Sequence, residues 1–461
     1  MPEHYDAIII GTGQAGPSLA VRLAKSGQRV AIIERNRFGG TCVNTGCIPT
    51  KALVASARVA HVARRASEFG VEIGSPVSVN MKRVKARKDE IAGASETGVE
   101  KSLRSAPNCT VYKAHARFLS DREVRVGDAV LTAERIFINV GARAAIPKIP
   151  GLDQVAYLTN SSMMNIDFVP PHLVIVGGSF IGLEFAQMYR RFGSQVTVLE
   201  RGQRLIGDQD PDVSDTVREI LEKEQIEIRL NADIVGVRNA SEGVEVLTAG
   251  GVVNGSNLLI ATGRRPNTDD LGLENTGIRM NERGHIQVDD ELRTSVPNVW
   301  ALGDCNGRGA FTHTSYNDFE IVAANLLDND PRRVTDRITA YALYTDPPLG
   351  RAGLTETQVA QSGRKALIGK RQMTRVGRAV EKSETQGFIK IVVDAESRYI
   401  LGAAILGSEG DEAIHCILDV MYAKAPYTVL QRSVNIHPTI SELIPTVLGD
   451  LKPLPPAEKP A

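Results

Sequence analysis

The stretch GGTCVNTGCIPTK, Gly39 to Lys51, places two of the chain's five cysteines five positions apart, with a lysine four positions beyond the second. A thiolate is the form of cysteine that attacks disulfides or binds metals, and a nearby cation or a helix N-terminus favours it. If Cys42 and Cys47 open a helix running on through Lys51, the helix dipole favours a thiolate and the loop allows a disulfide. Lys51 then lies one turn beyond Cys47 on the same face. Such a pair stores two electrons. A Cys-x4-Cys with no second Cys or His cluster is a poor zinc signature, so no metal centre is expected. Cys109, Cys305 and Cys416 stand alone and read as small apolar side chains. A second chemical candidate is NIHPTISE, from Asn435 to Glu442. Its plain reading is a helix start, because Thr439 and Glu442 have capping-box spacing. Yet histidine exchanges protons near neutral pH and a carboxylate fixes its tautomer, so His437 with Glu442 is also a candidate acid–base pair.

The elements that must position these groups are read from a repeat. DAIIIGTGQAG runs from Asp6 into Gly11-x-Gly13-x-x-Gly16, followed by a helical stretch to Ser26 and an apolar run ending at Glu34. LVIVGGSFIG, from Leu173, repeats the scheme with Gly177 and Gly182, a helical stretch to Phe192 and a run ending at Glu200. In both copies the carboxylate follows the first glycine by 23 positions. Strand, glycine turn, helix and terminal acid together predict a dinucleotide site: pyrophosphate at the helix N-terminus, ribose hydroxyls on the acid. Two such sites are expected. The second has Ser179 at its middle position. Glu200 argues for NADH because a carboxylate repels a 2′-phosphate, whereas Arg201 and Arg204 are able to pair with one, leaving NADPH as the alternative.

IFINVGARA at Gly141 and LLIATGRRPN at Gly263 each read as a strand running into a glycine turn, marking domain boundaries. VPNVWALGDC carries Asp304 at a strand end, placed to accept a ribityl hydroxyl or to cap a helix. From about Ile338 short alternating runs and helical stretches suggest a separate mixed domain. A chain of 461 residues that is 42% apolar has room for three or four domains. Lys plus Arg and Asp plus Glu both number 54, so no net field draws the protein to nucleic acid or a membrane surface. The first apolar run is too short for a signal peptide or a span, so a cytoplasmic protein is expected.

Taken together, GTGQAG with Glu34, GGTCVNTGCIPTK, GGSFIG with Glu184, ATGRRPN, ALGD and IHPTISE resemble the class I pyridine nucleotide-disulfide oxidoreductases, which include glutathione reductase, dihydrolipoamide dehydrogenase and mercuric reductase. The match spans nearly the whole chain. It implies an α/β fold with two Rossmann-like dinucleotide-binding domains, the second inserted in the first, and a C-terminal mixed α+β dimerisation domain. The expected boundaries are 1–145 (FAD domain, first part), 146–265 (NAD(P) domain), 266–337 (central domain completing the FAD site), 338–450 (dimerisation) and a disordered Pro-rich tail, 451–461. The resemblance implies FAD held by Gly11, Gly13, Gly16, Glu34, Gly40, Thr41, Gly141 and Asp304, and nicotinamide nucleotide held by Gly177, Ser179, Phe180, Gly182, Glu200, Arg201 and Gly263. It makes Cys47 the flavin-proximal thiol, Cys42 the interchange thiol, Lys51 the partner of Glu184 beside the flavin, and Phe180 the aromatic residue over the nicotinamide pocket. His437 and Glu442 match the pair that each subunit of a homodimer lends to the other's site.

The tail lacks the cysteine pair that mercuric reductase carries near its C-terminus, and Thr50 departs from the Pro-Ser-Lys usual in dihydrolipoamide dehydrogenase. The pattern is most similar to the mercuric-reductase-like group that includes the reactive-chlorine-resistance flavoproteins. The activity it implies is reduction of a soluble disulfide, metal ion or other acceptor by NAD(P)H. Two alternatives are a dihydrolipoamide dehydrogenase of a multienzyme complex and a redox sensor or metal-binding protein without turnover.

Overall fold

The computed structural model describes residues 2–455. The strand Glu3–Ile10 lies inside a seven-stranded sheet and is buried along Ala7–Ile10. Its run of apolar residues, with no polar alternation, is what a parallel strand covered on both faces requires. The sheet runs Cys109–Tyr112, Val30–Ile33, Glu3–Ile10, Ala129–Ile138, Glu123–Val126 and Ala116–Phe118. Val299–Ala301 pairs in parallel with Ala129–Ile138, so a strand from far along the chain completes the first sheet. Between them lies a second parallel sheet, ordered Glu227–Arg229, Gln195–Leu199, His172–Val176 and Asn257–Ile260. The second nucleotide-type module is therefore inserted in the first, as expected. The chain crosses between them through a ribbon in which Ala142–Ala144 pairs with Arg264–Pro266.

A six-stranded antiparallel sheet forms the C-terminal domain, ordered Ala340–Leu343, Leu349–Gly353, Ile400–Leu406, Phe388–Asp394, Ala366–Gln372 and Lys452–Pro453, with the helix Gly410–Tyr422 packed on it. The last strand corrects the expectation of a disordered tail from residue 451. Lys452 and Pro453 pair with Ile368 and Leu367, and Leu454 N–H donates to Ala366 C=O at 2.9 Å, so the edge strand's backbone groups are met although Pro453 has no N–H. Residues 456–461 lie outside the described residues. Among the described residues no helix is long and apolar enough to cross a membrane.

One hydrophobic cluster joins all three parts. It contains Leu53 and Ala57 from the cysteine helix, Phe185, Met188 and Tyr189 from the second module, and Leu343, Leu349, Phe388 and Leu406 from the C-terminal sheet. Side chains distant in sequence are thereby held in one place.

Candidate active site

The two cysteines do not share one helix. Cys42 lies in the short helix Gly40–Asn44, while Cys47 is the first residue of the 18-residue helix Cys47–Arg64. The break falls at Thr45–Gly46, where a Cβ on Gly46 would sit 2.9 Å from the Thr41 carbonyl oxygen. The long helix dipole therefore acts on Cys47 and not on Cys42. The two thiols differ accordingly. Cys47 is lowered to about 6, chiefly by the hydrogen bond from Cys42, with Thr312 and the Lys51 charge acting in the same direction against burial. The Cys42 thiol is pushed up because it shares that hydrogen bond as donor and is itself buried. The sulfur of Cys47 lies 3.0 Å from the Thr312 hydroxyl. No disulfide joins any of the five cysteines in this structure.

Lys51 reaches Glu184, its Nζ 2.8 Å from Oε2 and 3.1 Å from Oε1. Glu184 is buried, and its Oε1 also accepts the backbone N–H of Tyr344 at 3.1 Å. The Lys51 ammonium sits 4.4 Å above the Tyr344 ring. The C-terminal domain thus closes over a charge pair made by the other two modules. Phe180 packs edge-on against Phe311 and Tyr341, at 6.0 and 5.5 Å between centroids.

These groups line a cleft of about 1080 Å³. Its other end holds Gly11, Gly13, Glu34, Gly40 and Thr41, with Gly141 and Asp304 along its side. The loop there packs backbone on backbone: a Cβ on Gly16 would come 2.3 Å from the Gly11 oxygen, and one on Gly40 2.9 Å from the Gly13 Cα. Burial holds the Asp304 carboxyl above its usual range, and Arg264 beside it pulls the other way, Nε to Oδ2 being 3.5 Å. Among the described residues the buried Nε of Arg264 has no hydrogen-bond partner. A close-packed loop bare of side chains, a spare guanidinium donor and a buried carboxyl beside it fit a dinucleotide's pyrophosphate and hydroxyls.

The other expected residues lie elsewhere. Gly177, Ser179 and Gly182 lie at the start of the helix Phe180–Phe192, and Glu200 follows the strand Gln195–Leu199 beside Arg201. The Glu200 carboxylate accepts Gly178 N–H and Gly202 N–H, both at 2.6 Å. Gly263 lies at the turn before the Arg264–Pro266 ribbon. His437 and Glu442 do not line the cleft. They form a pair, Nδ1 to Oε2 2.9 Å, in which an exposed His437 meets a half-buried Glu442, next to Ile436 at 81% and Val434 at 101% exposure. Sequence reasoning missed Thr312, Tyr341, Tyr344 and Arg264. Only Arg264 stood within a quoted motif, ATGRRPN.

Three carboxylates also converge at Asp210, Asp212 and Glu356, as a metal site would require. The Lys390 ammonium already occupies that point, within 3.0 Å of all three.

The fold, the cleft and the dithiol beside a charge pair define a redox flavoprotein of the disulfide-reducing kind. Residues 5–318 match the pyridine nucleotide-disulphide oxidoreductase family and residues 339–448 its dimerisation domain, so the chain belongs to that family, whose members use FAD and a pyridine nucleotide. It is 37% identical to the pyridine nucleotide-disulfide oxidoreductase RclA of Escherichia coli, over 95% of this chain and 97% of that protein. It is 32% identical to a mercuric reductase of Streptomyces lividans, over 95% and 94%. Its structure is similar to that of the HOCl-induced flavoprotein disulfide reductase RclA from E. coli, with a TM-score of 0.90, 36% identity and coverage of 97% of this chain and 100% of that one. The Cu(II) complex of the same reductase matches at 0.89.

Proposed function

We propose that the protein carries electrons from NADH to a small thiol-reactive acceptor in solution, a disulfide or a thiophilic metal ion such as Cu(II), in the cytoplasm. The observation that carries this reading is the asymmetry of the dithiol, a stabilised thiolate at Cys47 and a protonated thiol at Cys42, next to the Lys51–Glu184 pair. FAD bound in the cleft supplies the chemistry of accepting a hydride equivalent from reduced nicotinamide and passing two electrons to a disulfide. Gly11, Gly13, Gly16, Glu34, Gly40, Thr41, Gly141, Arg264 and Asp304 would hold it. Lys51, fixed between Glu184 and the Tyr344 ring, keeps a positive charge beside the thiolate. Thr312 donates a hydrogen bond to the Cys47 sulfur, and Cys42 is the thiol that meets the acceptor. With a disulfide the balance is NADH + H⁺ + RSSR → NAD⁺ + 2 RSH; with copper, two Cu(II) become two Cu(I). The relationship to RclA, one structure of which is a Cu(II) complex, supports including the metal ion.

Glu200 supports NADH over NADPH, since its anchored carboxylate accepts ribose hydroxyls and repels a phosphate. Gly177, Ser179, Phe180, Gly182, Arg201 and Gly263 surround that nucleotide. His437, steadied by Glu442 beside bare apolar side chains, serves the partner subunit's Cys42 as acid and base in a C2 homodimer.

The test is anaerobic NADH titration of the FAD-loaded protein, then an acceptor panel of lipoamide, glutathione disulfide, Hg(II), Cu(II) and quinones. Two-electron reduction of the wild type is expected to produce long-wavelength charge-transfer absorbance; Cys42→Ser, with no disulfide to reduce, shows it before NADH is added, and Cys47→Ser does not show it at all. Because Cys47 is a thiolate only above a pH of about 6, that absorbance fades as pH falls through this value. Turnover confined to dihydrolipoamide and NAD⁺ would instead establish the dehydrogenase reading, and absence of turnover the sensor reading. Mixed dimers of Cys42→Ser and His437→Ala subunits are expected to regain activity; failure to do so would refute the shared site.

A further inference from the structure

Five strands of the C-terminal sheet each contribute one residue to a straight row. Tyr341 is paired with Arg351, Arg351 with Ala404, Ala404 with Lys390, and Lys390 with Lys370. Directly paired residues share a sheet face, and so do residues two apart along each strand. The neighbouring row on this face is therefore Leu343, Leu349, Leu406 and Phe388, all members of the core shared with the second nucleotide module. The apolar row supplies adhesion without direction. The polar row supplies something else.

Adjacent like charges in a sheet repel unless anions answer them. Here the answer comes from Asp208-Gln209-Asp210-Pro211-Asp212, eight to twelve residues beyond Glu200. Lys390 Nζ lies 3.0 Å from Asp210 and 2.8 Å from Asp212, and Lys370 Nζ lies 2.6 Å from Asp212. Gln209 donates to the Tyr341 hydroxyl. Asp210 stands where a residue would cap the helix Pro211–Lys223, yet its carboxylate makes no cap bond. It accepts instead from Glu356 N, Thr357 N and the Thr357 hydroxyl, each at 3.0 Å across the domain boundary. Arg351 is 2% exposed, and its second guanidinium nitrogen has no partner among the described residues. The carboxylates of Asp210, Asp208 and Asp212 act on its charge from across the boundary. Lys390 and Asp210 are each only 3% exposed at the side chain. A buried pair of this kind adds little stability over an apolar contact, but it penalises every other register.

The row ends at the aromatic cluster. Tyr341 stacks on Phe311 at 5.4 Å and 12°, and meets Phe180 edge-on. Phe180 begins the helix that carries Glu184 one turn later.

We infer that Tyr341, Arg351, Lys390 and Lys370 are positioning residues that set the register of the nucleotide module against the cleft, and so the alignment for electron transfer from the nicotinamide. This rests on the proposed role of the Phe180–Glu184 side.

The experiment uses FAD-loaded Tyr341→Phe, Lys390→Met, and Lys370→Met and Asp212→Asn alone and combined. Flavin bleaching at saturating NADH and 4-deuterated NADH is followed by anaerobic stopped flow, with amide hydrogen exchange of residues 208–213 and 180–183 in nucleotide-free protein. Misplacement far from the chemistry costs up to about 100-fold in rate. The limiting bleaching rate is expected to fall about 10–100-fold in Lys390→Met, and less in Tyr341→Phe, which keeps every charge and guards against a folding failure. The deuterium effect and the exchange rates are expected to rise, while reoxidation of the dithiol by acceptor stays unchanged. Folded variants that bleach at the wild-type rate with an unchanged isotope effect would reduce the row to an adhesive and overturn the inference. A wild-type flavin that NADH does not bleach would instead refute the proposed function itself.

Discussion

The two nucleotide modules share a motif but use its acidic residue differently. Glu34 is 8% exposed and accepts the Thr12 N–H at 3.1 Å, the Thr12 hydroxyl at 2.6 Å and Asn36 N–H at 2.8 Å. Its loop is tied to two further strands by Asn139, which accepts Gly16 N–H at 3.0 Å and donates to Leu302 O at 2.9 Å. Glu200 is half-exposed, anchored among the described residues only by the N–H groups of Gly178 and Gly202, and flanked by the exposed Arg201 and Arg204. The first arrangement is enclosed and cross-braced, as suits a ligand that stays. The second is open, as suits one that must leave each cycle. On the proposed function the same local sequence pattern serves a resident and an exchanging nucleotide, and the difference lies in what surrounds it.

The largest effect is expected where the bracing of the first module is removed. Asn139→Leu leaves Gly16 N–H without its acceptor, at roughly 1–3 kcal/mol, and strips Leu302 C=O of its amide donor, leaving it only the weaker Cys305 thiol. The purified variant is expected to lose most of its FAD, read as the flavin-to-protein absorbance ratio, and to melt at lower temperature. Nucleotide binding by the second module, followed by NADH fluorescence, should change little. Full FAD retention would show that enclosure, and not the asparagine brace, holds the cofactor.

Much of this architecture was legible because it is local. The repeat of strand, glycine turn, helix and acid is written in some 29 consecutive residues of each module, Asp6 to Glu34 in the first, and the pairing of His437 with Glu442 in six. Even so, the capping-box reading was only half right: Thr439 accepts the Glu442 N–H at 3.2 Å, but the Glu442 side chain turns to His437 and not back to the cap. The two-helix arrangement around the cysteines is not legible in the motif, because nothing in its spacing marks Gly46 as a break. Thr312, Tyr344 and Lys390 were invisible for a different reason. Their partners Cys47, Glu184 and Asp210 lie 265, 160 and 180 positions away, and only packing of the completed domains brings them together.

A smaller effect should separate the modules by selectivity. Glu200→Ala removes the carboxylate proposed to accept ribose hydroxyls and leaves Arg201 and Arg204 to attract a phosphate. Hydrogen bonds to a charged group contribute about 1.5–3 kcal/mol, so the NADH:NADPH ratio of kcat/KM is expected to narrow by about 10-fold or more. A wild type that already prefers NADPH would mean that the arginines decide the choice, and that the anchored carboxylate serves only to hold its own loop.

The smallest effect is expected at Ser179, where the second motif lacks its middle glycine. Its backbone sits at φ −115° and ψ −172°, an extended conformation open to any residue, and its side chain makes no cap hydrogen bond. The neighbouring Gly182 is the tight point, since a Cβ there would lie 2.0 Å from the Gly177 oxygen. Close approach in this module is therefore enforced at the third position and not at the second. Replacing a serine at a helix N-cap by glycine costs only a few tenths of a kcal/mol, about a two-fold change in a binding constant at most. Ser179→Gly is expected to leave KM for NADH within that two-fold limit, measured beside wild type in the same acceptor assay. A KM lowered about ten-fold would show that the serine side chain obstructs the pyrophosphate, and that looseness in the second module is built into the motif and not into its surroundings.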